Sequence, residues 1–255
     1  MIKELLVSAQ VVLMVQNYLK NGNYENLINE EKLKIKEIKF ESIEHTVFKN
    51  KIVRQKTIKE FIDYLMKQKC NTIALSISDK VDRDLCGVVN GMPCSIYVEY
   101  KDLSYMYFKE VEVDKEGNYS YRYNAKICAV RNSWKEFNID ILKEELLLIK
   151  EYFKKIECKE EEERMQTSIV YLEEPNNIKE EYYKLLPEAY YKTTVALFAA
   201  LVNAYYFGEE FDPKDKVIEN TLKMGCSEEY YERTRRLNKV LNDAFMYVIN
   251  ITRRC

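Results

Sequence analysis

The N-terminal segment, residues 2–20, is mostly hydrophobic. Ser8 and Gln10 interrupt this run, an acid stands near its start, and no small-residue cleavage site follows it. A signal peptide needs a basic start and such a site, and a bilayer span needs about 20 apolar residues. The pattern therefore predicts a buried helix that ends at Asn21-Gly22, a common pair at helix C-termini.

Residues 34–78 are predicted to form a strand, a helix and a second strand. The segment 34–48 is rich in β-forming residues and ends in a lysine-rich loop, and a slip in its alternation indicates a bulged or broken strand. Thr57 and Glu60 match a capping box, and apolar residues follow at helical spacing. The run 72–78 is typical of a buried strand. This order favours a right-handed β-α-β crossover.

Residues 95–127 alternate between apolar and polar side chains, as in an antiparallel meander. A three-residue loop at Lys115–Gly117 predicts a hairpin in which Lys109–Val113 pairs with Tyr119–Tyr123. The apolar side chains of both arms share one face, and Val113 lies opposite Tyr119. The other face carries charged residues, so we expect it to be partly exposed to solvent.

Beyond Trp134 the apolar residues follow helical spacing. One long helix is predicted over 139–165, and shorter segments predict helices at 213–224 and 227–252. Residues 189–207 are apolar on almost all sides, which is typical of a fully buried helix. Such a helix is often covered by a second copy of the chain, so we expect self-association. The alternative is that the N-terminal helix folds back and completes the bundle within one chain.

These patterns together predict an α+β fold. An N-terminal β-α-β unit continues into an antiparallel meander and is followed by a mostly helical C-terminal half. We expect a mixed α/β domain at 1–135, whose helix 2–20 has the option of packing on the C-terminal helices, and a helical bundle domain at 136–255. Only six Gly and four Pro occur in 255 residues, which disfavours a many-turned β-sandwich.

Composition narrows the environment and the partners. The net charge of −2 provides no field that attracts nucleic acid or an anionic membrane. Seven widely spaced cysteines without a Cys-x-x-Cys pair, beside one histidine, indicate reduced thiols in a cytoplasmic protein rather than a zinc site. The abundance of Lys, Glu, Ile, Asn and Tyr is what AT-rich codons produce, and indicates a low-GC bacterium or its phage as the source.

One set of residues suggests an anion site. Lys49, Lys51 and Arg54 precede the free N–H groups of the helix that starts at Thr57, and this combination holds phosphates in many proteins. Asp82 and Asp84 follow the next strand and are suited to Mg²⁺. The competing interpretation is a solvated loop whose acids and bases neutralise one another.

The same region partly resembles the nucleotidyltransferase superfamily. The resemblance implies that Asp82 and Asp84 form a metal pair and that Glu99 is the third acid, with Mg²⁺ as cofactor. The Gly-Ser turn of that family is missing, since Leu75–Ser78 stands in its place. This departure puts the phosphate-binding part of the site in doubt.

The C-terminal half resembles HEPN-type ribonuclease domains in its buried helix of small and aromatic residues. Arg233 and Asn238 stand at the spacing of the catalytic Arg–His pair of that family. The chain has no histidine beyond His45, so the usual proton carrier of that chemistry is absent. His45 itself stands beside no Ser or Cys motif, so it is predicted to be a structural hydrogen bonder. Arg233–Arg236 is predicted to be a solvated helix face or a contact for acidic partners.

No familiar catalytic motif occurs in the sequence. The leading hypothesis is a non-catalytic binding or adaptor protein without a cofactor, which acts through its surface on a protein partner. A host or defence protein is the expected target if a phage or another mobile element encodes the chain. The alternative is a metal-dependent enzyme that handles nucleotides or phosphates.

Overall fold

The computed structural model describes residues 2–45, 50–77, 94–128, 137–187, 190–205 and 216–250. The strands within these ranges are β1 (Ile35–His45), β2 (Asn50–Gln55), β3 (Thr72–Ile77), β4 (Cys94–Glu99), β5 (Ser104–Val113) and β6 (Tyr119–Cys128). The helices are α1 (Ile2–Asn21), α2 (Glu30–Leu33), α3 (Ile58–Lys67), α4 (Ile139–Lys155), α5 (Lys159–Glu173), α6 (Glu180–Tyr183), α7 (Lys192–Ala204), α8 (Lys216–Lys223) and α9 (Ser227–Asn250).

The six strands form one mixed sheet in the order β2-β1-β6-β5-β4-β3. Only β1 and β6 are parallel neighbours, and every other pair is antiparallel. Strands fill the N-terminal half and helices most of the C-terminal half. The predicted α+β class is therefore confirmed.

The described residues divide into two compact units. The sheet unit holds 3–45, 50–77, 94–128, 249 and 250, and the helical unit holds 137–187, 190–205 and 216–248. In the sheet unit, the strand before α3 is β2 and not the predicted strand at 34–48, so that β2, α3 and β3 form the β-α-β element, and its two strands lie at opposite edges of the sheet.

The lysine-rich segment after β1 differs from the prediction, because it is a strand and not a loop. β2 pairs antiparallel with β1, so that Lys51 lies opposite Glu44 and Arg54 opposite Glu41. Opposite charges in directly facing positions stabilise a strand pair. The strand contains the β-branched residues Ile52 and Val53, and its two cations face acids on β1. These features offset the cost of placing charged residues in a strand.

The predicted β5–β6 hairpin is confirmed in its exact register. Val113 faces Tyr119, and Val111 faces Tyr121. Gly117 adopts φ 80°, a conformation that glycine tolerates best. One carboxylate oxygen of Asp114 accepts hydrogen bonds from the backbone N–H groups of residues 116 and 118, which closes the turn.

Two helices cover the same face of the sheet. The ring of Phe61 on α3 stacks on Phe40 of β1 with 3.9 Å between ring centroids. The Ser8 hydroxyl of α1 is 2.8 Å from the Tyr123 hydroxyl of β6. α1 is buried along most of its length and ends at Asn21, as predicted, before a glycine with φ 69°. The other face carries exposed charged side chains on β5 and β6, also as predicted.

The prediction of one long helix over 139–165 is wrong, because the structure has two helices there. α4 ends at Lys155, and Glu157 adopts a left-handed φ of 59°. The N–H of Cys158 donates to the Phe153 carbonyl, and Ile156 is fully buried at the break. The acidic run that follows lies in the first turn of α5, where the helix dipole favours negative charge.

α7 is buried on almost all sides within a single chain. Leu197, Phe198 and Leu201 are at most 6% exposed. Phe198 contacts Phe245 of α9 edge to face, at 6.0 Å between centroids. A second copy of the chain is therefore not needed to bury α7. The predicted self-association stays a prediction.

Five of the seven cysteines lie in the described ranges, and all five are free thiols: Cys70, Cys94, Cys128, Cys158 and Cys226. This agrees with the predicted reduced state. Cys86 and Cys255 lie outside the described residues.

Candidate functional site

One edge of the sheet is sealed by side chains. The outer backbone groups of β3 form three hydrogen bonds with two side-chain amides. Asn250 accepts from the Leu75 N–H at 2.9 Å and donates to the Leu75 carbonyl at 3.0 Å. Gln16 of α1 donates to the Ile73 carbonyl at 3.0 Å. These amides replace the neighbouring strand that an edge otherwise recruits.

The other edge, β2, is open. Its backbone groups pair with β1 on one side, and within the described ranges residues 51–55 make no backbone hydrogen bond on the other side. Ile52 is 59% exposed, and the Arg54 side chain is 74% exposed. Lys51 is also exposed. A further strand can therefore reach this edge without displacing a described contact.

The predicted anion site at Thr57 shares one of its helix donors with the protein's own N-cap. The Thr57 hydroxyl accepts from the Glu60 N–H at 3.1 Å, and the Glu60 carboxylate accepts from the Lys56 N–H at 2.7 Å. The Thr57 side-chain cap is therefore confirmed, while Glu60 reaches one residue further back than in a standard capping box, to the Lys56 N–H. Arg54 Nε lies 2.8 Å from a Glu41 carboxylate oxygen. Lys49 lies outside the described residues.

The alternative metal site has one described member. Asp82 and Asp84 lie outside the described ranges. Glu99 ends β4 and lies opposite Thr72, and its backbone carbonyl accepts from the Asn71 N–H at 2.8 Å. Within the residues that the structure describes, no three His, Cys, Asp or Glu side chains gather closely enough to hold a metal ion.

A buried polar cluster lies between α1 and the sheet. Lys109 Nζ is 2.6 Å from a Glu4 carboxylate oxygen and 3.3 Å from Cys94 Sγ. Ser8 Oγ is 3.3 Å from the same sulfur and 2.8 Å from the Tyr123 hydroxyl. The Lys109 side chain is only 5% exposed, so this is an ion pair at the edge of the core. We call these five residues the lysine–thiol cluster.

The surroundings of the cluster are apolar and aromatic. Burial raises the pKa of Tyr123 well above its ordinary value, and burial and the Glu4 charge raise that of Tyr121. Both phenols therefore stay protonated and neutral at physiological pH. The Tyr121 hydroxyl is itself buried and has no hydrogen-bond partner among the described residues.

The lysine–thiol cluster was not predicted from the sequence, although a signal for it exists. Lys109 shares the parity of the inward-facing Tyr107 and Val111, so a lysine stands on an apolar face of β5. Ser8 interrupts the apolar run of the N-terminal helix. A polar residue inside such a run is itself a sign that it has a buried partner.

The arginine cluster of α9 is a mostly solvated face. Arg235 and Arg236 are exposed, and Arg233 is half-buried. Burial raises the pKa of Glu145 on α4, and the charges of Arg236 and Arg233 act against this shift. Asn238, the second residue of the HEPN-like spacing, is buried. His45 is the last residue of β1, and its side chain lies outside the described part of the structure.

None of the described helices combines the length and the apolar character that crossing a membrane requires. In comparisons with known proteins, no protein family, curated protein or solved structure matches this chain.

Proposed function

We propose that the protein is a non-catalytic binding protein that takes an extended acidic segment of a partner protein as an added strand beside β2. The observation that carries this proposal is the contrast between the edges of the sheet. Three side-chain hydrogen bonds seal β3, while β2 exposes its outer backbone groups. Strand addition at an open edge supplies affinity through backbone hydrogen bonds.

The charge of β2 supports an acidic partner. The strand has the sequence Asn-Lys-Ile-Val-Arg-Gln and contains no acid. Lys51 and Arg54 differ in parity, so one cation stands on each face of the hairpin. A partner strand with acids on both faces would meet an opposite charge on either side. Cross-strand pairs of opposite charge stabilise a sheet, and like charges destabilise it.

A second copy of the chain fits this edge poorly. Pairing two β2 strands brings four cationic side chains together, because each copy contributes Lys51 and Arg54. Exposed cations on an edge are one of the ways in which proteins prevent self-pairing. A homodimer through β2 is therefore disfavoured. Sedimentation at micromolar concentration tests the oligomeric state directly.

The experiment uses a fluorescent peptide of repeating Glu-Glu-Val-Val, which places acids on both faces of a strand, with Lys-Lys-Val-Val as its charge-reversed counterpart. We expect fluorescence anisotropy to report binding of the acidic peptide only, with an affinity that falls as salt rises. A third peptide keeps the Glu-Glu-Val-Val sequence but carries backbone N-methyl groups at alternate residues. It retains the charge and loses the donors, so it separates strand pairing from charge attraction alone.

Variants locate the binding surface. Lys51→Glu and Arg54→Glu are expected to weaken binding of the acidic peptide by roughly threefold to tenfold each. Lys192→Glu, at an exposed position of α7, makes the same change in net charge and serves as the control. Equal weakening by all three variants, or unchanged binding of the N-methylated peptide, would contradict strand addition at β2.

A thermal-shift series separates this proposal from the nucleotide-enzyme alternative. A ligand that binds only the folded state raises the melting temperature. We expect no rise with nucleotides and Mg²⁺ or Mn²⁺, and a rise with the acidic peptide. A rise with nucleotide and metal would favour the enzyme. We place the binding activity in the cytoplasm, a compartment that fits the five free thiols.

A further inference from the structure

Cys94 and Lys109 face each other across two neighbouring strands. β4 and β5 pair antiparallel with Ser95 opposite Phe108, so the next pair outward is Cys94 and Lys109. Their reactive atoms, Sγ and Nζ, lie 3.3 Å apart. Both side chains are buried, with Cys94 only 2% exposed. A thiol and an amine are thus held in contact in a buried place.

The neighbours of this pair restrict both reactive atoms. The Glu4 carboxylate holds the lysine nitrogen from one side, at 2.6 Å. The Ser8 hydroxyl contacts the sulfur at 3.3 Å and is itself anchored to the Tyr123 hydroxyl. Fixing two groups in contact makes a reaction between them effectively unimolecular. Once an oxidant has acted on the thiol, the arrangement therefore favours a bond between the two side chains over a bond from either of them to another molecule.

We propose that Cys94 and Lys109 are a modification site at which hydrogen peroxide joins the two side chains by a reversible S–O–N bridge. The first peroxide molecule oxidises the thiol to a sulfenic acid and releases one water. The second removes one hydrogen from the amine nitrogen and one from the sulfenic acid as the O–N bond forms, and releases two waters. The proton that the ammonium group must lose first passes to the Glu4 carboxylate.

The bridge changes the structure around it in a defined way. The bridged nitrogen no longer carries the ammonium charge, so Glu4 loses its ion pair with Lys109. The first turn of α1 loses its charged contact to the sheet, while β4 and β5 gain a covalent link. Four thiol groups, or two molecules of a dithiol such as dithiothreitol, supply the four hydrogens that cleave the bridge, which restores the thiol and the amine and releases one water.

Cys70 provides an internal control. Its thiol donates to the Thr72 carbonyl at 3.4 Å, and burial raises its pKa to about 12. A thiol with so high a pKa is a poor nucleophile at neutral pH. The contact of Cys70 is also a carbonyl and not an amine, so peroxide should give no joined peptide at Cys70 under conditions that join Cys94 to Lys109.

The test is peptide mapping of the folded wild-type chain after treatment with hydrogen peroxide and removal of the excess by catalase. We expect the peptides that contain residues 94 and 109 to appear joined, with a mass gain of about 14 Da for one oxygen added and two hydrogens lost. Trypsin should fail to cut after Lys109, and dithiothreitol should restore both peptides and the cut.

Variants and denaturation complete the test. Lys109→Arg keeps the charge beside Glu4 but removes the amine, and Cys94→Ser removes the thiol, so neither should form the joined peptide. Wild-type chain unfolded in guanidinium should not form it either. The proposal is overturned if the folded chain gains about 32 Da at Cys94 without a joined peptide, or if Cys94 does not react at all.

Discussion

Both edges of the sheet could pair with a further strand, and they limit this pairing by different means. β3 is closed by amides from Gln16 and Asn250, which occupy its outer backbone groups. β2 keeps those groups accessible and carries Lys51 and Arg54 instead. A hydrogen-bonded seal excludes any incoming strand, whereas a charged edge excludes cationic strands and remains open to acidic ones. The difference indicates which edge serves stability and which is available for recognition.

The two solutions also differ in where their residues come from. The seal of β3 depends on side chains that are distant in sequence, and Asn250 is 175 residues from Leu75. The charges of β2 belong to the strand itself, and their partners Glu41 and Glu44 are in the adjacent strand. Substitutions at the β3 edge should therefore change the free energy of unfolding, and those at β2 should mainly change binding.

The largest effect is expected for Asn250→Leu. This substitution leaves the N–H and carbonyl of Leu75 buried without partners, and it should lower the free energy of unfolding by about 2–4 kcal/mol. Asn250 is 4% exposed, so water cannot easily replace the amide. Urea denaturation monitored by circular dichroism measures the change. A loss below about 0.5 kcal/mol would show that the seal contributes little to stability.

Asn242→Leu is the matched variant on the same helix, and the opposite sign is expected. Asn242 is fully buried, and within the described part of the chain both polar atoms of its amide lack a hydrogen-bond partner. Replacing an unpartnered buried amide with an apolar group of similar size should raise the free energy of unfolding by about 1–2 kcal/mol. The same urea titration measures it. Equal destabilisation by both variants would mean that α9 tolerates no change, and would remove the special role of Asn250.

A small effect is expected for Arg54→Ala at the open edge. Its ion pair with Glu41 is solvent-exposed, and such pairs contribute about 0–1 kcal/mol. The free energy of unfolding should fall by less than about 0.5 kcal/mol, while affinity for the acidic peptide falls measurably. A large loss of stability would make β2 a structural edge like β3, and the contrast between the two edges would disappear.

The β5–β6 turn lies at neither edge and provides a pH-dependent reference. Hydrogen bonds from Asn118, Glu116 and Lys36 hold the pKa of Asp114 at about 2, below its ordinary 3.8. A lowered folded-state pKa contributes stability above pH 3.8 that is lost as the pH falls towards 2. Asp114→Asn removes this titration. The melting temperature of the variant should therefore fall less steeply between pH 4 and pH 2 than that of the wild type.

Local signals explain the parts of the fold that the sequence predicts well. The β5–β6 register follows from the parity of apolar residues and from a glycine at the turn. The α3 start follows from Thr57 and Glu60, whose side chains accept hydrogen bonds from backbone N–H groups at most four residues away. In each case the residues that determine the structure are close in sequence, so their spacing is informative.

The failures have the opposite cause. β2 was predicted as a loop because its charges look solvated, and their partners on β1 are known only once the register is known. The end of α4 depends on a left-handed Glu157, and neither glycine nor proline marks it. The β3 seal and the lysine–thiol cluster join residues far apart in the chain. Spacing along a single sequence carries little information about such contacts.

The long separation between Leu75 and Asn250 has a consequence during synthesis. Gln16 precedes β3, so its hydrogen bond to Ile73 can form as soon as the strand leaves the ribosome. Asn250 is translated 175 residues after Leu75, which takes about 10–35 s at typical rates of elongation. The nascent chain thus presents a half-sealed strand for that time. A chaperone that recognises extended apolar segments would have its main opportunity at Ile73–Ile77, and would lose it when the last helix arrives.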